Sequence, residues 1–280
     1  MGLVVNTNIA SIAAQRHLSN VTNRLFKNYN HLASGLRITS ASDDAAGLAI
    51  SERLRATISS LGQAIRNGND GVSLVQTAEG ALNEDASLLS RMKELTVQAK
   101  NGTVSDADRQ TLDGEFQALL AEIDRNADAA NFNGVQLLDG SNGSITFQVG
   151  DGTDPNVDSF TATLADATTG ATGLNLTGLS ISSSCSTTLN TVLDALDSAL
   201  TVVNDARGTF GAAQNRLEST LASLANTVEN LSAAESRIRD VDVAYESADL
   251  TRNTILQQAA TAVLAQANIS PQAALSLLRG

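Results

Sequence analysis

From Leu189 to Ile238 the chain repeats apolar residues at alternating spacings of four and three. The stripe runs Leu189, Leu193, Leu196, Leu200, Val203, Phe210, Leu217, Leu221, Leu224, Val228, Leu231 and Ile238, broken only at Arg207, Gln214 and Glu235. A 3.5-residue period held for about 50 residues, about 75 Å of helix at 1.5 Å per residue, needs a partner of similar length. Residues 47–100 offer one through Leu54, Ile58, Leu61, Ile65, Val72, Val75, Leu82, Ala86 and Leu89, with gaps at Gly68 and Glu79. A shorter stripe uses Leu112, Phe116, Leu119, Ile123 and Ala127. The fold class this predicts is mainly α: an elongated helical coiled-coil bundle formed by the N- and C-terminal segments.

Both tips are uncharged. Residues 1–15 and 253–278 hold no Asp, Glu, Lys or Arg, although the 280-residue chain carries −12 overall. Residues 1–46 sum to +2 and residues 239–280 to −1, so the acid lies between them. The tips nevertheless have helical stripes: Val5, Ile9 and Ile12, then Leu18, Val21, Leu25 and Leu32 at one end, and Val241, Tyr245, Ala248, Ile255, Ala259 and Ala262 at the other. Uncharged amphipathic helices are poorly solvated, and alone they hold little structure. The expectation is that the tips pack together and against other copies.

Between the helices, residues 133–188 change character. Asn133-Gly134, Asp139-Gly140, Asn142-Gly143 and Asp151-Gly152 are turn signals, and Ile145, Phe147, Val149 then Phe160, Ala162, Leu164 alternate with period two, which predicts a small β-hairpin. Thr168 to Thr188, rich in Gly, Ser and Thr with isolated Leu, reads as loop more than core.

Catalytic chemistry is sparse. His17 and His31, the only histidines, lie 14 residues apart on one helix, about 21 Å, too far to share a metal ion. Cys185 is the only cysteine, so neither an internal disulfide nor a cysteine cage can form. Asp151-Gly152-Thr153-Asp154 lacks the ligand spacing of a calcium loop. Asp43 and Asp44, ahead of a long helical pattern, suit N-terminal capping. The scattered 18 Lys and Arg and the acidic balance argue against nucleic acid. No apolar run reaches 18 residues, and Gln257, Gln258, Gln266, Asn268, Pro271 and Gln272 interrupt the uncharged tip, so no membrane insertion is expected. No enzyme activity, cofactor or metal is expected either. Residues alone, with no cleaved-signal pattern at the start, would read as a soluble cytoplasmic protein.

Several long motifs resemble bacterial flagellin. They are Val5-Asn6-Thr7-Asn8, Ala33-Ser34-Gly35-Leu36-Arg37-Ile38, Ser42-Asp43-Asp44-Ala45-Ala46-Gly47-Leu48-Ala49-Ile50, Arg66-Asn67-Gly68-Asn69-Asp70-Gly71, and Gln76 through Glu84. Near the other end stand Asn230 through Asp242, Ala265-Gln266-Ala267-Asn268 and Leu277-Leu278-Arg279. The resemblance implies an inner terminal coiled-coil domain from residues 1–44 plus 240–280, an outer helical bundle from 45–140 plus 186–239, and a hairpin and Ser/Thr/Gly-rich surface segment at 141–185.

It also implies a structural subunit that self-assembles into the flagellar filament for swimming motility. Type III export without a cleaved signal would make the protein secreted, in the extracellular filament. The partners implied are other flagellin subunits, an export chaperone, and the cap and hook-associated proteins. Val5, Ile9, Ile12, Leu18, Val21, Leu25, Ile255, Ala259, Ala262, Leu277 and Leu278 are the expected self-assembly residues. Arg91, Glu94, Leu95 and Gln98, with Glu115, resemble the surface by which many flagellins engage the vertebrate flagellin-sensing Toll-like receptor; a solvated face used in subunit packing is the alternative. Competing readings are a hook-filament junction protein, favoured less by Leu277-Leu278-Arg279, and an adhesin displaying Thr168–Thr188. A zinc peptidase in the variable region is excluded by the absence of histidine after His31.

Overall fold

A computed structural model describes residues 7–279, with side chains described for 7–269. Five helices and two hairpins follow in order: α1 (Ile9–Ser34), α2 (Ala45–Ala99), α3 (Asp106–Ala129), β1 (Asn131–Phe132), β2 (Val135–Gln136), β3 (Ser144–Gln148), β4 (Ser159–Thr163), α4 (Ser186–Arg239) and α5 (Val243–Arg279). The chain divides into two compact units, one of Met1–Ile58 with Glu229–Gly280 and one of Ser59–Val228. Both divisions fall inside the long helices α2 and α4, further from the tips than the motif boundaries at 44 and 240 suggest. Residues 141–185 belong to the larger unit.

In the larger unit the seam on α4 does what its period requires. Leu189, Leu196, Val203 and Phe210 are buried in one core with Leu82, Leu89 and Met92 of α2 and Phe116 and Ile123 of α3, and Leu217 is buried in a second cluster further along. The stripe is wider than the sequence alternation, because α4 packs against more than one neighbour: Val192 and Ala199 are buried, while Leu193 and Leu200 are half-buried. On α3, Leu120 is likewise more deeply placed than Leu119.

The breaks in the stripes match one another. Glu79 of α2 and Arg207 of α4, each an interruption in its own helix, approach to 3.9 Å. Gly68 receives Leu221, whose Cδ2 lies 2.6 Å from where a β-carbon would stand. Helix starts and stops are equally local. Ser105 and Asp108 form a reciprocal capping box on α3. The guanidinium of Arg109 donates to the carbonyl of Ala99, satisfying an orphan acceptor at the end of α2.

The antiparallel hairpin β3–β4 pairs Ile145 with Ala162 and Phe147 with Phe160, as the period-two pattern predicts. Its inner residues Val149, Phe160 and Ala162 pack with Leu217, and the Arg216 guanidinium sits 5.1 Å over the Phe160 ring. Asp154-Gly152 and its neighbours form the hairpin tip, where Asp158 accepts from the backbone of Asp154.

The Gly/Ser/Thr-rich stretch after the hairpin corrects the sequence expectation. Leu174, Leu176 and Ile181, its isolated apolar residues, are buried in the main core. Carboxylates on α3 hold the strap there: Asp124 accepts from the amide and hydroxyl of Thr169, and Asp113 from the amide of Ile181. Composition marks this stretch as loop because it has no period, yet three well-placed side chains and paired backbone groups suffice to bury it.

One buried charge stands out. Asp85 of α2 is fully enclosed; Asn126 of α3 donates to one carboxylate oxygen at 2.7 Å, and the other has no hydrogen-bond partner. Burial, with a smaller contribution from the Glu84 charge, pushes Asp85 up to about 6 against the Asn126 hydrogen bond.

Two predictions follow from this packing. Leu217→Asp, at a fully buried seam position, should destabilise the larger unit by roughly 3–5 kcal/mol; Leu221→Asp, half-buried, should cost less, and exposed Ser219→Asp under about 0.5. Thermal circular-dichroism melts of the three variants give the order, and a reversed order would place the core on another face. For Asp85, the folded value lies above the unfolded one, so the protonated form favours the fold. Its stabilising protonation is complete below about 4 and is lost as pH rises to about 6, a change of about 3 kcal/mol at about 1.4 kcal/mol per tenfold in proton affinity. Asp85→Asn should therefore melt higher than the parent at pH 7.5 and lose that advantage at pH 4. A parent-minus-variant difference independent of pH would contradict this.

Candidate assembly interface

In the smaller unit α1 and α5 lie antiparallel against each other. The Asn8 side chain caps α1 by accepting from the Ser11 amide, and donates to the Ala267 carbonyl of α5 at 2.7 Å. The Ser11 hydroxyl donates to the side-chain oxygen of Asn268 at 2.7 Å. At the other end α1 stops at Gly35, whose φ of +71° suits a residue without a β-carbon. The chain then runs beside the end of α4 and its connection to α5: the Arg37 amide donates to the Arg239 carbonyl, the Val241 amide to the Gly35 carbonyl, and the Arg37 guanidinium to the Ile238 carbonyl at 2.6 Å.

The two aspartates there divide their work. Asp44 caps α2 through the Gly47 amide, as expected. Asp43 instead holds the turn, accepting from Lys27 of α1 and from Thr39 and Ser40. The Lys27 ammonium above all, and the Thr39 and Ser40 hydroxyls, hold its carboxyl well below the usual carboxylate range. Arg239 pairs with Glu52 at 2.6 Å and lowers that carboxyl as well.

The helix pair buries little of its apolar surface. Of α1 only Ala14, Leu25 and Asn28 are buried. Ile9 is 73% exposed and Ile12 59%, while Phe26, Tyr29, Tyr245, Ile255, Leu256, Val263 and Ile269 all stand largely in solvent. A groove of about 410 Å³ lies between the helices, lined by Ala14, Val21, Leu256, Ala259, Ala260 and Val263 together with His17 and Arg24.

The expected assembly residues therefore separate. Ile9, Ile12, Ile255, Ala259 and Ala262 face outward, and Leu18 and Val21 are half-buried. Leu25, 5% exposed, belongs to the inside of the pair and is removed from the outward face. Val5, Leu277 and Leu278 lie outside the described residues or side chains. Phe26, Tyr29, Leu256 and Val263 were missed, because they fall off the stripe that the seam pattern selects; their signal is a large apolar residue on a face otherwise polar.

A second exposed cluster sits in the larger unit. Arg91 on α2 donates to Glu115 on α3 at 3.0 and 2.9 Å and to Glu94 at 3.0 Å, and Gln98 is exposed one turn further along. Leu95 differs from the expectation: it is fully buried in the core and presents no surface. Among the described residues, no three His, Cys, Asp or Glu side chains converge as a metal site, and no helix is long and apolar enough to cross a membrane.

Long helices with a packed core in one unit and an uncovered apolar helix pair in the other define a self-associating structural subunit. Comparisons specify which. Residues 5–143 match the bacterial flagellin N-terminal helical region, and residues 193–278 the C-terminal helical region. Flagellin of Halalkalibacterium halodurans is 46% identical over 277 residues, covering 99% of this chain and 100% of that one. Flagellin of Bacillus subtilis is 41% identical, covering 98% and 99%. A putative flagellar hook-associated protein from Vibrio parahaemolyticus shares the fold at a TM-score of 0.61, with 17% identity, over 71% of this chain and all of that one.

The chain belongs to the bacterial flagellin family. It is a structural subunit of the extracellular flagellar filament, polymerising with other filament subunits, and is not an enzyme. End-to-end identity with flagellins decides against the hook-filament junction reading.

Proposed function

We propose that the outward side chains of the α1–α5 pair, Ile9, Ile12, Ile255, Leu256, Ala259, Ala262 and Val263, form the contact between neighbouring subunits. The half-buried Leu18 and Val21 line its edge. Val5, Leu277 and Leu278 join the contact on the strength of the uncharged sequence they continue. The observation that carries this reading is the exposure of large aliphatic residues along the parts of α1 and α5, residues 9–15 and 253–269, that hold no charged side chain to solvate them. Burying each of them would contribute about 1.5–3 kcal/mol, enough for a few to decide association. An export chaperone, a cap and hook-associated proteins are assigned as further partners from family membership.

A second surface has its own support. The Arg91 guanidinium, fixed by Glu115 and Glu94 across two helices, gives a rigid charged cluster in solvent. We assign Arg91, Glu94, Gln98 and Glu115 to engagement of the flagellin-sensing Toll-like receptor, with Leu95 supporting them from the core.

The double variant Ile255→Asp/Val263→Asp should fail to polymerise from seeds while its thermal melt stays within about 2 °C of the parent, because the larger unit is untouched. Sedimentation of seeded reactions checks this; normal filaments would remove these residues from the contact. In the parent monomer, limited proteolysis should cleave α1 and α5 well before residues 59–228, and polymerisation should protect them. For the receptor surface, Arg91→Ala should raise the half-maximal dose in a receptor reporter assay at least about tenfold, in the range expected for an interface arginine. Unchanged potency would leave the cluster as a subunit-packing or solvated face.

A further inference from the structure

The apolar face of α5 offers α1 no unique alignment. Leu250, Ala260, Leu264 and Ala267, its half-buried aliphatic residues, fall on one stripe of three- and four-residue steps with Asn253 and Gln257, and sliding one helix past the other along that stripe would replace small aliphatic contacts with similar ones. One layer is different. Asn28 of α1 and Asn253 and Glu246 of α5 are buried to 5%, 2% and 8% exposure, a polar layer toward the Gly35 end of the pair.

Their hydrogen bonds are mutually completing. The Asn28 amide nitrogen donates to Glu246 at 2.7 Å and to Asp249 at 3.2 Å. Its carbonyl oxygen accepts from the Asn253 amide nitrogen at 2.8 Å, which also donates to Asp249 at 2.9 Å. His31 of α1 contacts Glu246 at 3.2 Å and lies 3.9 Å from Asp43, while Arg252 pairs with Asp249 from outside. Asn28 uses both donors and an acceptor at one alignment only. Shifted by one or two turns toward the tip, it would face Gln257 or Ala260 in place of Asn253 and would leave Glu246 without the Asn28 donor, an arrangement that buried polar groups disfavour.

We propose that the Asn28–Asn253 pair, with Glu246 and Asp249, fixes the axial register of α1 against α5. Register then decides which aliphatic residues point outward together, so the layer sets the geometry of the assembly face; this consequence rests on the reading given above. A polar layer in an apolar helix pair specifies alignment at the expense of stability. Here it stands where the apolar pattern alone leaves alignment degenerate.

The test pairs Asn28→Leu/Asn253→Leu with the parent layer, both carrying Cys185→Ser, Asn20→Cys and Ser247→Cys. Nitroxide labels at exposed positions 20 and 247, offset along the pair so that an axial slip changes their separation directly, report the alignment by pulsed electron paramagnetic resonance, in chains diluted to about 5% in unlabelled filaments so that only distances within one chain are read. The parent should give one narrow distance. The leucine variant should keep its helix content by circular dichroism and give a split or broadened distance, displaced by about one helical turn of 5 Å. A variant that keeps its helix content but is excluded from filaments also supports the proposal, since a misaligned tip cannot match its neighbours. A single unchanged distance overturns it, as does loss of helix content, which would mean that the layer holds the helices together without aligning them. A broadened distance inside otherwise normal filaments would sustain the register role and sever it from the assembly face, so the two readings fail separately.

Discussion

Burial of the α4 seam is the interaction on which the larger unit depends. Leu189, Leu196, Val203, Phe210 and Leu217 project from one face of one helix, and each other element meets that line at some point. The hairpin is placed by Val149, Phe160 and Ala162 around Leu217; the strap after it is placed by Leu174, Leu176 and Ile181 in the same core. A two-stranded hairpin is marginal by itself, and a Gly/Ser/Thr-rich loop more so. Both are ordered here because the helices supply the apolar surface that they lack.

The smaller unit is held on different terms. Few apolar side chains are buried between α1 and α5, and polar groups organise the pair along its length: Asn8 with Ala267 at one end, and toward the other the Asn28 layer and the turn braced by Asp43 and Arg37. Hydrogen bonds of this kind contribute about 1 kcal/mol each in net terms and depend on geometry. Such a unit is aligned more firmly than it is stabilised. A filament subunit is served by that division, because the apolar surface left uncovered remains available to neighbouring copies.

The residues named for assembly and for the receptor surface differ in exposure, and those that turn inward have a common cause. Ile9, Ile12, Ile255, Ala259 and Ala262 stand outward as the uncharged tips imply, whereas Leu25 turns inward. Leu95 behaves as Leu25 does: it is one residue from exposed Glu94 in sequence, yet α2 points it into the core. A linear motif groups neighbours, while a helix separates them by about 100° per residue. Phe26 and Tyr29 escaped for the converse reason, being apolar residues on a face that periodicity assigns to solvent.

The sequence by itself determined the helices, their partners and the family, because a 3.5-residue period, turn dipeptides and long motifs are local signals that survive without coordinates. It also marked the breaks at Gly68, Glu79 and Arg207. That Gly68 would receive Leu221, and that Glu79 would face Arg207, required the alignment of α2 with α4. Tertiary structure alone decided that the Gly/Ser/Thr-rich strap enters the core, that Asp85 is enclosed with one oxygen unpaired, and that Asn28 meets Asn253. Those are contacts between residues far apart in the chain, and no local spacing records which distant group a side chain will face once the seams have closed.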